Sequence, residues 1–291
     1  KQSISGGQET TSLNKETLNK AYLQFLRNFD SLYGGFGSAP KFPTGHSLSF
    51  LLRYWKQTQD AQALEMVEKT LISMAKGGVY DHIGGGFHRY ATDRKWRIPH
   101  FEKMLYDQAI LSKSYLEAYQ ATGKSEYAQI AREIFEYVLR DMAHPEGGFY
   151  SAEDADSPLP ENPKEKKEGA FYLWSKKEII DILGKEDGEI FSYYFGIEPN
   201  GNAFQDPQGE FKEKNILYVA QAKEETALHF KKSVKEIEKV IKNSKEKIFA
   251  ARSKRPRPHL DDKVLVDWNG LMISSLAFGS RVLSEPRYRD A

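Results

Sequence analysis

The chain has 291 residues, long enough for a sizeable core, and carries 42 Lys and Arg against 41 Asp and Glu, a formal charge of +1. That balance gives no global field to draw in nucleic acid or an anionic membrane. With no cysteine, disulfides, thiolate nucleophiles and thiolate metal sites are excluded. No run of about 18 apolar residues suggests a membrane span, and the polar start lacks the apolar core of a signal peptide, so the expectation is a soluble, cytoplasmic protein.

Residues 1–12 are polar and read as a linker or tail, with one domain over 13–291. Apolar residues at helical spacing follow at Leu18, Tyr22, Phe25 and Phe29, then at Leu48, Leu51, Leu52 and Trp55 from about Thr44, and at Leu64, Val67, Leu71 and Met74. The spacing returns at Met104, Leu111, Tyr115 and Tyr119, and again at Tyr127, Ile130, Ile134, Val138 and Met142. Ser175 and Glu178 match a capping box, and Gly184 marks a helix stop. Phe230, Val234, Ile237, Ile241 and Ile248 predict one long charged helix. The last helix, from about Asp267, carries Leu271, Met272, Ile273, Leu276, Phe278 and Val282, which leaves little polar face and predicts burial on most sides.

Between helices a Gly-Gly-aromatic phrase recurs: Gly34-Gly35-Phe36, Gly85-Gly86-Phe87, Gly147-Gly148-Phe149, and in looser form Gly169-Ala170-Phe171. Its irregular spacing argues against a strict solenoid. Helical hairpins with elaborated loops are expected, about eight to ten helices in all. The stretches 157–168 and 199–215 read as surface excursions, with short strands at Phe171–Trp174 and Asn215–Tyr218.

Three constellations could carry chemistry. The first runs from Asp81 to Asp107 and holds His82, His88, Arg89, His100, Glu102, Tyr106 and Asp107. A helix starting near His100 would align His100, Lys103, Met104 and Asp107 on one face, placing an imidazole beside a carboxylate, as acid/base catalysis needs. The bland alternative is a Lys103–Asp107 surface pair with His100 as a helix cap. Zinc binding by the histidines is rejected, because their intervals match no ligand motif. The second group, Glu153, Asp154 and Asp156, could supply an acid/base pair or hold sugar hydroxyls, or could be a solvated turn. The third places Asp261, Asp262, Trp268 and Asn269 at the start of the apolar helix, where they could face a ligand or serve only capping and packing.

Taken with GGFGSAPKFP (34–43), EGAFYLW (168–174) and DDKVLVDWNGLM (261–272), these motifs make the chain resemble the spermatogenesis-associated, thioredoxin-domain-containing protein family over nearly its whole length. The resemblance implies an all-α fold: an (α/α) toroid of antiparallel helical hairpins, six-hairpin glycosidase-like and related in shape to N-acylglucosamine 2-epimerase. It is expected to be incomplete here, with short β-hairpins in its loops and a thioredoxin-like domain as partner in the full-length family. The function expected is acid/base chemistry on a sugar, epimerase- or isomerase-like or else glycosidase-like. The alternative is a non-catalytic binding scaffold. His100, Asp107, Glu153, Asp154 and Asp156 are the candidate catalytic residues. His82, His88, Arg89, Glu102, Tyr106, Asp261, Asp262, Trp268 and Asn269 are the candidate substrate-binding residues. No metal, cofactor, nucleic acid or membrane is expected, and an incomplete toroid would self-associate through its apolar last helix.

Overall fold

Helices form where the apolar spacing places them, and a computed structural model describes residues 15–159, 162–203 and 211–291. The tail expected at 1–12 lies outside the described residues. In chain order the α-helices are α1 (Lys15–Asn28), α2 (Gly45–Thr58), α3 (Ala61–Lys76), α4 (Leu105–Thr122), α5 (Ser125–Tyr137), α6 (Lys176–Leu183), α7 (Lys185–Tyr194), α8 (Lys223–Phe230), α9 (Val234–Arg252), α10 (Val266–Leu283) and the short α11 (Arg287–Asp290). A π-helical turn, Val138–Met142, extends α5.

Two rows follow from who touches whom. Ser114 donates to the Gly45 carbonyl and Ser49 donates to Glu117, so α2 and α4 rise together. The Ser112 and Ser275 hydroxyls meet at 2.8 Å, and Leu116 lies beside Gly279, where a Cβ would fall 2.4 Å from Phe135. Helices α4 and α10 are therefore parallel and tightly apposed. The other three, α1, α3 and α5, run the opposite way: α3 and α5 turn back through hairpins, and Tyr54 late in α2 donates to Asn19 early in α1. Parallel helices backed by antiparallel partners form the (α/α) plan of antiparallel hairpins that the sequence predicts. Leu48, Leu51, Met66, Leu71, Leu111, Tyr115, Ile134, Phe135 and Met272 fill the core between the rows.

A second core, built on Trp174, Ile179, Ile190, Phe191, Ile237, Ile241 and Ile248, binds α6 to α9. Here the single long helix expected from Phe230 onward is two. Lys231 takes φ of 53° and closes α8, and Ser233 with Glu236 opens α9 through a reciprocal capping box. The Ser175–Glu178 box opens α6 as expected, whereas α7 was not anticipated.

The strands are short and sit in loops. β1 (Tyr90–Ala91) pairs with β2 (Pro99–His100), β3 (Lys103–Met104) pairs with β4 (Ala152–Glu153), β4 also pairs with β7 (Leu260–Asp261), and β5 (Asp156–Pro158) pairs with β6 (Lys166–Glu168), all antiparallel. They gather where α4 and α10 begin. The excursion at 157–168 is thus a hairpin, while part of 199–215 lies outside the described residues. The strands expected at Phe171–Trp174 and Asn215–Tyr218 shrink to one bridge, Trp174 with Asn215.

Helix α10 departs from expectation in burial. Asn269, Met272, Ser275, Leu276 and Gly279 form its buried face, but Val266, Leu271 and Ile273 are exposed, Val266 to 87%. The missing polar face reflects a surface that these residues leave uncovered.

Candidate functional site

The helix expected to begin at His100 begins instead at Leu105, since residues 99–100 and 103–104 are spent on strand pairing. His100 lies opposite Tyr90 in β2, and Lys103 lies opposite Glu153 in β3. The face shared by His100, Lys103, Met104 and Asp107 therefore does not exist, nor does the Lys103–Asp107 pair or the His100 cap. Period-3.6 reasoning fails here because a backbone paired to distant strands has no helical phase.

The strand route nevertheless brings many of the same residues together. His100 Nδ1 is 2.8 Å from Glu168 and its Nε2 is 3.3 Å from Glu102. Glu102 accepts from Arg89 at 2.7 Å. Arg89 lies close enough to Tyr106 and Asp107 to interact electrostatically with both, opposing the rise of the Asp107 pKa. Trp268, from the first turn of α10, meets Tyr106 edge-on at 4.7 Å. Beyond His100, Tyr90 stacks on the imidazole at 5.0 Å and Phe42, half exposed, lies against Tyr90. One continuous strip thus runs from Glu168 through His100, Glu102 and Arg89 to Asp107, flanked by aromatic rings.

Electrostatics sharpen two members of that strip. Glu168, accepting from the imidazole, raises the His100 pKa above its ordinary value although partial burial opposes it. Asp107 moves further: burial pushes its carboxyl up to about 7, with Arg89 opposing and Glu102 assisting. Its place in the first turn of α4 should favour the charged form through the helix dipole, but desolvation outweighs that. Asp107 Oδ2 is buried without a hydrogen-bond partner, an exposed cost unless a proton or a ligand satisfies it.

The Gly-Gly-aromatic phrase has a different use. In each of the first three copies the residue four before the first or second glycine closes a tight turn: Asp30 pairs its backbone with Gly34 and Gly35, Asp81 with Gly85 and Gly86, His144 with Gly147 and Gly148. In the first two, the aspartate also takes two N–H bonds from its own turn, from Leu32 and Tyr33 or from Ile83 and Gly84. A buried lysine then binds both the aspartate and a glycine carbonyl: Lys41 to Asp30 and Gly34, Lys103 to Asp81 and Gly85. An arginine completes each set through two of its guanidinium nitrogens, Arg94 on Asp30 and Arg252 on Asp81. Lys103 further lies over the rings of Tyr137 and Tyr172. These are duplicated structural clamps, and sequence reasoning saw the glycines but not Asp30, Lys41, Arg252 or Tyr137.

Several expected site residues belong to the clamps and their surroundings. Glu153 is buried, with one oxygen engaged by Tyr137 at 2.7 Å and the other by Arg257. His82 is buried, bonded to the Gly77 carbonyl at 2.8 Å and packed on Tyr80 and Phe195, with burial pushing its pKa down to about 3. His88 is buried between Phe101 and Tyr172 and pushed down likewise to about 3. Both stay neutral and pack. Asn269 is a latch, accepting from Phe149 N at 2.7 Å and donating to its carbonyl. Asp261 pairs with Lys263, and Asp262 is exposed. Asp154 and Asp156 are exposed as well, but Asp156 stands opposite Glu168 and senses His100, which puts it at the edge of the strip. Glu168, Tyr90 and Phe42 were missed as site residues, although all three lie inside motifs already singled out. Among the described residues no group of three or more His, Asp or Glu could hold a metal ion.

No protein-family model matches the chain. Curated relatives do. Spermatogenesis-associated protein 20 of Homo sapiens is 45% identical over 284 residues, 92% of this chain and 36% of its own length. The Mus musculus protein of that name is 44% identical over 290 residues, 94% of this chain and 37% of its own. By sequence, the chain belongs to the spermatogenesis-associated protein 20 family. It spans little more than a third of the length of these family members. Solved structures of similar shape include a cellobiose 2-epimerase from Spirochaeta thermophila, at 14% identity and a TM-score of 0.42, covering 94% of this chain and 82% of the other. A D-mannose isomerase, at 10% identity and a TM-score of 0.42, covers 95% of this chain and 83% of its own. Among the described residues no helix is long and apolar enough to cross a membrane.

Proposed function

We propose that this chain performs acid/base chemistry on a carbohydrate, of epimerase or isomerase type, with His100 and Asp107 exchanging protons. The observation that carries the proposal is Asp107: a buried carboxyl with an unpartnered oxygen and a pKa raised to about 7, at the end of the strip that holds His100. Moving a proton next to a carbonyl needs one group to take it and another to give it. Asp107, with its carboxyl raised to about 7, and His100, raised above its ordinary value by Glu168, are the two groups placed to give and take that proton. Glu168 orients the imidazole and Arg89, reached through Glu102, offers a cation for a developing oxyanion. Phe42, Tyr90, Tyr106 and Trp268 provide ring faces and edges against which a sugar can lie. Glycoside hydrolysis is supported less, because Glu153 is committed to Arg257 and Tyr137, which leaves the exposed Asp154 and Asp156 to pair across a bond. A thioredoxin-like domain elsewhere in the full-length protein remains the proposed partner.

The test uses the full-length protein in D2O with aldoses, ketoses and β-linked disaccharides, reading deuterium incorporation at the carbon beside the carbonyl by NMR. Exchange is expected, and His100→Ala and Asp107→Asn should each lower it by roughly a hundredfold or more with the fold retained by circular dichroism. Full retention in His100→Ala would remove that residue from the mechanism. Sugar binding without exchange would support a binding module instead, and no binding would sink the carbohydrate reading.

A further inference from the structure

Between α3 and α5 on one side and α9 with the end of α7 on the other lies a cleft of about 740 Å³, lined by none of the residues of the His100 strip. Its walls are apolar where they are deepest: Leu71, Ile72 and Ala75 from α3, Tyr127 and Ile130 from α5, and Ile241 from α9. A smaller cavity of about 200 Å³ adjoins it, and the two share His82, Glu133 and Lys245. Their combined size falls in the range of sites that enclose a small organic ligand.

Of the charged residues lining this cleft, Lys76, Glu126, Lys242 and Glu246 are exposed to water, whereas Lys223, Glu133 and Lys245 are half-buried. Lys223 is paired with Glu238 at 2.8 Å. Glu133 accepts from the Tyr80 hydroxyl and from Gln129 at 2.9 Å. His82, held by the Gly77 carbonyl and kept neutral by burial, adds no charge. Lys245 stands on the wall common to both cavities. Its amine lies 5.8 Å from the Phe195 ring centre, and among the described residues it has no ion pair, feeling Glu133 and Asp81 only at a distance. A half-buried lysine without an ion pair is partly desolvated with no counter-charge to offset it, and its surroundings lower its pKa. An anion entering the cleft would supply that counter-charge while its apolar part covers the α3 and α5 walls.

We infer that this cleft is a binding site for a monoanionic amphiphile, an apolar body ending in one carboxylate, with Lys245 as the anchor for the carboxylate. Lys245, the half-buried cation of this cleft without an ion pair, calls for one negative charge, and the apolar walls call for an apolar body. The site is separate from the proposed sugar chemistry and does not depend on it.

Isothermal titration of the 291-residue chain with decanoate and, separately, with decanol tests the assignment. Decanoate should bind saturably at one site, and decanol at least about tenfold more weakly, since a charge-assisted contact is missing. Lys245→Gln should bring decanoate down to the level of decanol and leave decanol unchanged, while Lys245→Arg keeps the preference. Should Lys245→Gln fail to fold, Ile130→Trp serves instead: it fills the cleft, retains the charge and should abolish both titrations at an unchanged circular dichroism spectrum. Equal binding of acid and alcohol, an unaffected Lys245→Gln or Ile130→Trp, or uptake without saturation would overturn the assignment.

Discussion

The two aspartate clamps offer a controlled comparison inside one molecule, because they share their geometry and differ in burial. Asp81 is 4% exposed, and its partners Lys103 and Arg252 are 1% and 5% exposed. Replacing Asp81 with Asn keeps an oxygen for the N–H groups of Ile83 and Gly84, so the turn survives, but it strands two buried cations. Glu153, the nearby acid, is already held by Arg257. Stranding buried charge of this kind costs about 3–5 kcal/mol. Lys103→Met is milder, since Asp81 keeps both bonds from Arg252 and only the Gly85 carbonyl loses its donor, at about 1–3 kcal/mol. At the other clamp Lys41 is wholly buried but Arg94 is 55% exposed. Asp30→Asn therefore strands one cation while the other turns to water, and should cost clearly less than Asp81→Asn.

Urea unfolding of the four proteins at neutral pH measures these differences directly. The acid limb adds a check of sign. The neighbouring cations hold the Asp81 carboxyl well below its ordinary 3.8, so its contribution is complete above the unfolded pKa and is lost only as pH falls through the lower folded value. The gap between wild type and Asp81→Asn should thus be constant above about pH 5 and narrow in strong acid. If Asp30→Asn proves as costly as Asp81→Asn, or if Asp81→Asn costs under about 1 kcal/mol, burial of the arginine is not what distinguishes the clamps.

Asp107 predicts the opposite pH behaviour: a carboxyl raised from 3.8 to about 7 removes stability as pH rises from about 4 to 7. Asp107→Asn should accordingly raise the melting temperature at pH 8, with the gain shrinking by pH 5; a loss at pH 8 would mean that the buried carboxylate is satisfied. Among the turn glycines, Gly85 has φ of +78° and a Cβ there would lie 2.4 Å from the Glu133 carbonyl, whereas Gly147 has φ of +100° and nothing within 4 Å. Gly147→Ala should cost about 1–2 kcal/mol for the left-handed backbone alone, and Gly85→Ala clearly more; equal costs in denaturant melts would show that the close approach relaxes. The exposed Val264, Val266 and Ile273 beside and along α10 should make this chain self-associate, with Ile273→Lys shifting sedimentation toward monomer; a monomer before the substitution would refute this.

Much of the architecture was legible because it rests on local periodicity. Leu48, Leu51 and Leu52, or Ile134 and Val138, report a buried helical face whatever surrounds them, and Ser175 with Glu178 announces its helix by chemistry that needs four residues. The site was legible only as a list. His100 and Glu102 were found by density of reactive groups, but their phase was misread, because β2 pairs with Tyr90 and Ala91 and β3 with the remote Ala152 and Glu153, pairings that helical periodicity does not report. The error had a direction. A helical phase pairs Lys103 with Asp107, whereas the strand turns Lys103 inward to Asp81 and leaves Asp107 without a cation of its own.

That exchange of partners gives the strip its chemical character. Had Lys103 reached Asp107, an ammonium beside the carboxyl would hold it ionised at neutral pH, and the group could only accept a proton. With Lys103 committed to Asp81 and Gly85, burial dominates at Asp107, and its carboxyl stays protonated to near neutrality. The lysine buried in the clamp and the aspartate left unsatisfied at the strip lie on either side of the same β3–α4 junction, four residues apart. The fold's strongest electrostatic anchor and its best candidate acid are therefore set by one choice of backbone, strand rather than helix, at residues 103–104.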